Sequence, residues 1–535
     1  MRSRHLGWSS ALHCAGLVLF LVIVYGPVGA LVVESCRAVT RSNFDWLLLA
    51  LPSGRRAVLL IRSVGLASGV ALSSTAIGLL VACTLWQWRA GARAYVRWGL
   101  LLLAPLPPYI HALAWTSTWT AFTTLLHFQS LSSMTGWLGA WWILTMTWLP
   151  VSTGFALVGL ESVDVALIEA GRVARADSHV FLKVAVPLAL PYIIVGGVFG
   201  FVLTLTDYSV PSLCSVNVTA LDVFAEYSAS NEPARAFLRA LPILTITALA
   251  AVLCQAPLQR AAQSPPWRRR EPSPSLAMPR WLTQLRRAAL ALMVMQIAVP
   301  LLSLLVATGS WKSLTLSIAA ARSDIADSAW QAIVTVALCV PIGLAVAQEL
   351  DGHGHRARLW LFLATAPLAI PAPLAGIGVI TMWNRPAWID LYGSSLAPAM
   401  ATSARFAPFA ALIMLAQWRR LDHLLIDAAR VHQTSALRTW LQVRLPMLAP
   451  GLAAAACVVF ALSIGELGAT LLVTPAGAST LTMRIYNYLH YGASGTVAGL
   501  CLVMTAVAIG AVGLALAILG GWNIIGLSTD RGGRS

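Results

Sequence analysis

Twelve apolar runs of about 20 residues recur along this chain, and a run of that length, at about 1.5 Å of helical rise per residue, matches the roughly 30 Å hydrocarbon layer of a bilayer. They cover residues 11–33, 64–86, 98–119, 136–159, 188–208, 240–257, 288–309, 329–349, 359–382, 396–417, 447–472 and 496–520. Their apolar character is continuous and does not alternate every second residue, as barrel strands would. With 58% hydrophobic and 10% charged residues, the chain lacks the polar surface that a water-soluble globule needs. The expectation is an all-α polytopic membrane protein of about 12 transmembrane helices, with the lipid bilayer as its solvent. The run at 11–33 is longer than the apolar stretch of a signal peptide and is read as retained.

The formal charge of +16 raises the question of a nucleic-acid partner, and the distribution of the charge answers it. With the N-terminus inside, 24 of the 36 Lys and Arg fall on cytoplasmic stretches. That bias is what the positive-inside rule expects. The charge therefore orients the chain, with both termini cytoplasmic, and nucleic acid is excluded as a partner. The eight cysteines are scattered, without the close spacing of a metal site. Cys36 and Cys214 alone sit where an oxidising compartment reaches, which leaves a bridge between them open.

The halves of the chain answer each other. Ala104-Pro105-Leu106 matches Ala366-Pro367-Leu368 at an offset of 262, Ile77-Gly78-Leu79 matches Ile342-Gly343-Leu344 at 265, and Asp207 matches Glu466 at 259. A slowly drifting offset is the mark of an internal repeat with loop insertions. Six helices per half keep both copies in one orientation, so the repeats are parallel. The expected division is a first six-helix repeat over 1–258, a cytoplasmic linker over 259–285 rich in Pro, Ser and Arg, and a second six-helix repeat over 286–535.

Two stretches recur with the repeat, EAGRVARADSHVFLKVAVP from Glu169 to Pro187 and DAARVHQTSALRTWLQVRLP from Asp427 to Pro446. Each lies in a loop of about 28 residues between a fourth and a fifth run, long for a helical bundle. Glu169 or Asp427 supplies a negative charge suited to a helix start. The small pairs Ala170-Gly171 and Ala428-Ala429 permit close approach of another backbone. Pro187 and Pro446 stand where the next spanning helix begins, a position that tolerates proline. The pattern predicts a short docking helix joined rigidly to a spanning one.

At these residues the chain resembles the permeases of binding-protein-dependent type I ABC importers, whose EAA loop reads roughly Glu-Ala-Ala, three residues, Gly, then Ile-x-Leu-Pro. Both loops depart from that pattern. Arg175 and Gln433 replace the glycine, and Asp427 replaces the second Glu. The resemblance covers most of the chain and implies that each loop is a coupling helix received by a separate cytoplasmic ATPase, one loop per ATPase copy. ATP would be bound by that partner, with no cofactor in this chain, and a periplasmic or extracellular binding protein would deliver the solute. The location implied is the bacterial inner membrane. No G-x-x-x-x-G-K-[S/T] stretch is present, nor a hydrolase or protease constellation, so the chain is not read as an enzyme.

An acid near a spanning segment is costly and suggests function. Asp207 and Glu466, with Tyr208 and Ser463 beside them, lie about 20 residues beyond the loop prolines, near the outer end of the fifth helix of each repeat. They form either an outer vestibule attractive to a cation or caps on broken helix ends, and the sequence leaves both open. Residues 466–495 strengthen the resemblance to fused two-repeat permeases of the ferric-iron and thiamine-like branch. Ferric iron is the first substrate this implies, with thiamine, phosphonate and polyamine as alternatives. Tyr486, Tyr488, His490 and Tyr491 are donors suited to iron or members of an interfacial aromatic belt, and His111 is expected to be a hydrogen-bonded packing residue. The rival class is an ion-gradient-driven secondary transporter, which would be expected to carry more buried acids, lysines or histidines than are found here.

Overall fold

A backbone in hydrocarbon must satisfy its own hydrogen bonds, so continuous apolar runs become helices. The computed structural model describes residues 7–42, 45–88, 106–127, 134–263, 276–352, 354–421, 423–432, 436–475, 477–491 and 494–531, and among them every regular element is helical. The labelled helices are α1 (Gly7–Phe20), α2 (Gly26–Arg41), α3 (Arg55–Gln87), α4 (Pro108–Leu125), α5 (Gly136–Glu161), α6 (Val165–Ala174), α7 (Val186–Thr206), α8 (Ser209–Leu213), α9 (Thr219–Ser230) and α10 (Pro233–Gln263). They continue as α11 (Arg280–Thr308), α12 (Trp311–Ala320), α13 (Arg322–Leu350), α14 (Gly354–Thr365), α15 (Ala372–Trp383), α16 (Leu396–Trp418), α17 (His423–His432), α18 (Leu445–Ile464), α19 (Thr470–Val473), α20 (Leu481–Tyr491) and α21 (Ser494–Arg531).

Ten helices among the described residues are long and apolar enough to cross a membrane, or 11 with one bent pair. The expectation was about 12, and the difference has local causes. Run 359–382 is two helical pieces meeting at 102°, because Pro367 and Pro371 each remove an N–H at the break. Run 98–119 is described only from 106, and its helix α4 is threonine-rich. Run 447–472 is among the ten as Trp440–Ile464, although its helix stops at Ile464.

Three π-turns interrupt the spans, at Leu21–Tyr25, Phe181–Ala185 and Trp440–Arg444. Each precedes a proline by two residues: Pro27, Pro187 or Pro446. A proline ring crowds the carbonyl four residues back and offers it no N–H. The residue before each proline donates instead to the carbonyl five back, Val186 to Phe181 and Leu445 to Trp440. The widened turn keeps the helix continuous.

Helices α3, α5 and α7 pack on one another, and so do α13, α16 and α18. Small residues bring the backbones together. A Cβ on Gly78 would lie 2.9 Å from the Thr153 nitrogen, and one on Gly343 would lie 2.8 Å from the Ala410 carbonyl carbon. Hydroxyls stitch the same places. Ser73 is 3.1 Å from Thr145, and Thr335 is 2.7 Å from Thr402. Ser63 accepts from the Thr219 amide, as Ser328 does from the Leu481 amide, each at 2.8 Å. The helices at the start of each trio cross over: α1 packs on α13, and α11 packs on α3, α4 and α5.

The linker expected over 259–285 is narrower, since α10 runs to Gln263 and α11 begins at Arg280. Its end is docked. Leu276 is buried, and the Ala277 amide donates to Asp177 Oδ2 at 2.6 Å. All eight cysteines carry free thiols, with Cys36 exposed and Cys214 buried. Burial and then the Asp207 charge push the Cys214 thiol up to about 12.

Two outcomes follow from these contacts. Gly343→Val places a side chain against the α16 backbone, so it is expected to cost about 1–3 kcal/mol by overpacking, read as a lower melting temperature in detergent. Asp177→Ala removes the acceptor for Ala277, so the exchange rate of that amide is expected to rise about 5-fold, the equivalent of one ordinary hydrogen bond.

Candidate functional site

The two loops take the same form. In the first, Asp164 Oδ1 accepts from the Ala166 amide at 3.0 Å and starts α6. Glu169 is therefore the fifth residue of its helix, and Asp427 is the fifth of α17. The expected place of these acids at a helix start is corrected, since the capping function belongs to Asp164 in the first loop. On both helices an isoleucine turns inward, Ile168 and Ile426, while Glu169, Ala170, Asp427 and Ala428 are exposed and Gly171 and Ala429 are half-buried. Leu167 with Val173, and Leu425 with Val431, face outward. Val173 is 92% exposed and Val431 83%, which leaves an uncovered apolar edge on each short helix.

The chain then turns back. Arg175 is extended and exposed at the end of α6. A Cβ on Gly171 would lie 3.1 Å from Val180, so the small residue receives the returning loop itself. Arg172 Nε donates to Asp177 Oδ1 at 3.0 Å, and Asp177 also holds the linker amide. Pro187 and Pro446 are the second residues of α7 and α18, behind the π-turns. Gln433 lies outside the described residues. In the first loop the expected rigid junction is thus an extended break followed by a widened turn.

At the far ends of α7 and α18 lie the two acids. The Asp207 amide donates to the Thr204 carbonyl at 3.3 Å, and the Glu466 amide to the Ser463 carbonyl at 3.2 Å. Asp207 Oδ1 accepts from the Ser209 amide and hydroxyl, Oδ2 accepts from the Val210 amide, and together they start α8. Glu466 Oε1 accepts from the Ala469 amide at 2.9 Å, just before α19. Glu466 Oε2 is ion-paired with Arg405 of α16. Tyr208 is buried and stacks on Phe224 at 5.3 Å. The Ser463 hydroxyl donates to Thr335 at 3.2 Å.

The turns that carry these acids lie at a seam between the halves of the chain. Leu106, Tyr109 and Ile110 form one buried cluster with Ile464, Leu467, Leu481 and Ile485. A Cβ on Gly468 would lie 3.1 Å from Tyr208, and one on Gly465 would lie 2.6 Å from Pro107. The Tyr486 hydroxyl is hydrogen-bonded to Ser212 across the same seam.

Sequence reasoning passed over Arg405, although an arginine inside run 396–417 is as conspicuous as an acid there. It also passed over Asp324, buried and paired with Arg484, whose guanidinium donates to the Tyr488 hydroxyl at 3.1 Å. The side chains of His490 and Tyr491 lie outside the described set. His111 is fully buried, yet neither ring nitrogen has a hydrogen-bond partner among the described residues, contrary to the expected hydrogen-bonded role. Among those residues no three His, Cys, Asp or Glu are placed to hold a metal ion.

Residues 313–522 match the family described as binding-protein-dependent transport system inner membrane component. The chain is 31% identical over 180 residues to the molybdate/tungstate transport system permease protein WtpB of Pyrococcus abyssi, across 33% of this chain and 68% of the relative. It is 26% identical over 199 residues to PhnV of Salmonella typhimurium, a permease protein named for a 2-aminoethylphosphonate transport system, across 34% and 71%. It is 24% identical over 204 residues to the putrescine transport system permease protein PotI of Escherichia coli, across 36% and 71%. A helical multi-pass chain with these relatives belongs to the inner-membrane components of binding-protein-dependent transport systems, the non-enzymatic permease subunits of ABC importers.

Proposed function

We propose that this chain is a fused permease, two parallel six-helix repeats over 1–258 and 286–535 joined through 259–285, that conducts one solute inward when two ATPase copies act on its paired loops. The family implies both an ATPase and a binding protein as partners. The observation that carries the reading is the matching of the loops: buried isoleucine, exposed acid and exposed valine recur in register on α6 and α17. An exposed apolar edge beside a charge is the chemistry of a helix received by a groove. In this reading both loops and both termini are cytoplasmic.

The fused architecture has separate support. One third of this chain aligns with two thirds of WtpB, so that relative is a chain about half as long. The close approach of Gly78 to the Ser152–Thr153 peptide recurs as that of Gly343 to the Ala410–Ala411 peptide, an interval of about 260 positions. Asp207, Tyr208, Ser463 and Glu466 mark the outer part of the path between the repeats.

Ferric iron, put first by the resemblance to fused two-repeat permeases, is the solute we propose to test first. The solutes named for the relatives, molybdate or tungstate, 2-aminoethylphosphonate and putrescine, supply a second reading. Proteoliposomes holding this chain and its ATPase, with binding protein on the outer side, are expected to accumulate one of these solutes only with ATP. Accumulation driven by a proton or sodium gradient without the ATPase would overturn the importer reading.

The loops have their own tests. Val173→Asp together with Val431→Asp is expected to weaken ATPase binding at least about 30-fold, as the loss of about 2 kcal/mol at an interface would, measured by co-purification, with the permease still inserted. Charge reversal by Glu169→Lys with Asp427→Lys is expected to abolish uptake. Normal uptake in both double variants would remove the loops from the mechanism.

A further inference from the structure

Asp207 and Glu466 occupy matched places, but their surroundings differ by one charge. Arg405 stands three residues beyond Thr402, the α16 hydroxyl that meets Thr335. The matching place on α5, by the register that sets Pro150 against Pro408, is Thr147, whose hydroxyl donates to the Ile143 carbonyl at 2.8 Å. This end of the seam therefore holds two carboxylates and one guanidinium. The guanidinium pairs directly with Glu466, with the side chains 22% and 7% exposed, and Tyr208 brings Asp207 beside that pair, since a Cβ on Gly468 would lie 3.1 Å from Tyr208 and 3.4 Å from Glu466 Oε1. The triad sits where Tyr208 abuts Gly468 and Pro107 abuts Gly465.

The attachment of each charge decides what can move. Arg405 and Glu466 belong to α16 and the end of α18, which pack together, so their pair travels as one body. Asp207 belongs to the end of α7 and is held by its own turn through Ser209 and Val210. Any motion that parts the trios at this end leaves Arg405 with Glu466 and takes Asp207 away. A buried carboxylate moved away from a cation is disfavoured until water reaches it, so charge as well as packing favours the closed arrangement.

Resting on the importer reading, we propose that Arg405 is a positioning residue of the path: held by Glu466, it keeps Asp207 against the opposite repeat and so latches the outer end shut until the ATPase drives the repeats apart. The latch is one-sided, because Thr147, at the place that matches Arg405, gives Asp207 no cation of its own.

The test uses the full chain with its ATPase and binding protein, plus the purified chain alone. Arg405→Gln combined with Glu466→Gln removes the pair without stranding a buried charge. This variant is expected to raise ATP hydrolysis in the absence of binding protein about 5-fold, the low end of an allosteric coupling, and to lower solute moved per ATP. In the purified chain, the Ser209 and Val210 amides are expected to exchange faster. Asp207→Asn is expected to raise hydrolysis in the same direction, and Arg405→Lys to restore near-parental coupling. Parental hydrolysis and exchange in the double variant, with Asp207→Asn silent as well, would reduce Arg405 to a packing partner of Glu466 and overturn the proposal. Failure of the importer reading is distinguishable, because the unaltered complex would then lack ATP-dependent uptake while the exchange measurement on the chain alone still decides the positioning role.

Discussion

An unpaired peptide group in hydrocarbon costs several kcal/mol, and this requirement governs where the chain is regular and where it breaks. Long helices meet it within themselves. Breaks are confined to covered places: residues 371–379, just past the bend after α14, are buried, and the turns at Asp207 and Glu466 recruit carboxylates as acceptors for their free amides. Where proline threatens the ladder near the start of α7 and α18, the π-turn restores it one residue further back. The short loop helices are thus joined to the bundle through a turn that is widened yet still bonded.

Packing in such a bundle depends on close contact, since lipid is as apolar as the side chains themselves. Gly78 and Gly343 admit neighbouring backbones, and the paired hydroxyls beside them add directional bonds. Charged pairs lie elsewhere, at the seam, at the loops and at helix ends, as between Arg235 and Glu226. At the seam they are few and unequal, whereas on the loop helices Glu169 and Asp427 hold matched places. In the proposed reading, symmetry is kept where two similar partners would be received and relaxed where a single path would form.

Helix content and the loop pair were legible in the sequence because both rest on local patterns, length of apolar run and a repeated motif. Ile168 and Ile426, Val173 and Val431 follow from helical spacing once α6 and α17 are placed. The cap at Asp164 was missed because Glu169 drew attention to the wrong turn. Arg405 was missed because only acids were sought within the runs, and its partnership joins residues 61 positions apart. The bend between α14 and α15 was hidden because hydropathy averages over a break that two prolines enforce. The orphan nitrogens of His111 depend on neighbours from other helices, which no local window contains.

The exchanged helices α1 and α11 carry a consequence for how the chain is made. Helices α3, α4 and α5 receive α11 as a neighbour, yet α11 ends at Thr308, 147 residues after α5 ends at Glu161. At about 5–20 residues per second, translation needs roughly 7–30 s to cover that gap. During that interval the early helices sit in the bilayer with one flank occupied only by lipid or by the insertion machinery. Biogenesis thus has to shelter a half-built bundle, and separately synthesised halves would have to exchange a helix before either could mature.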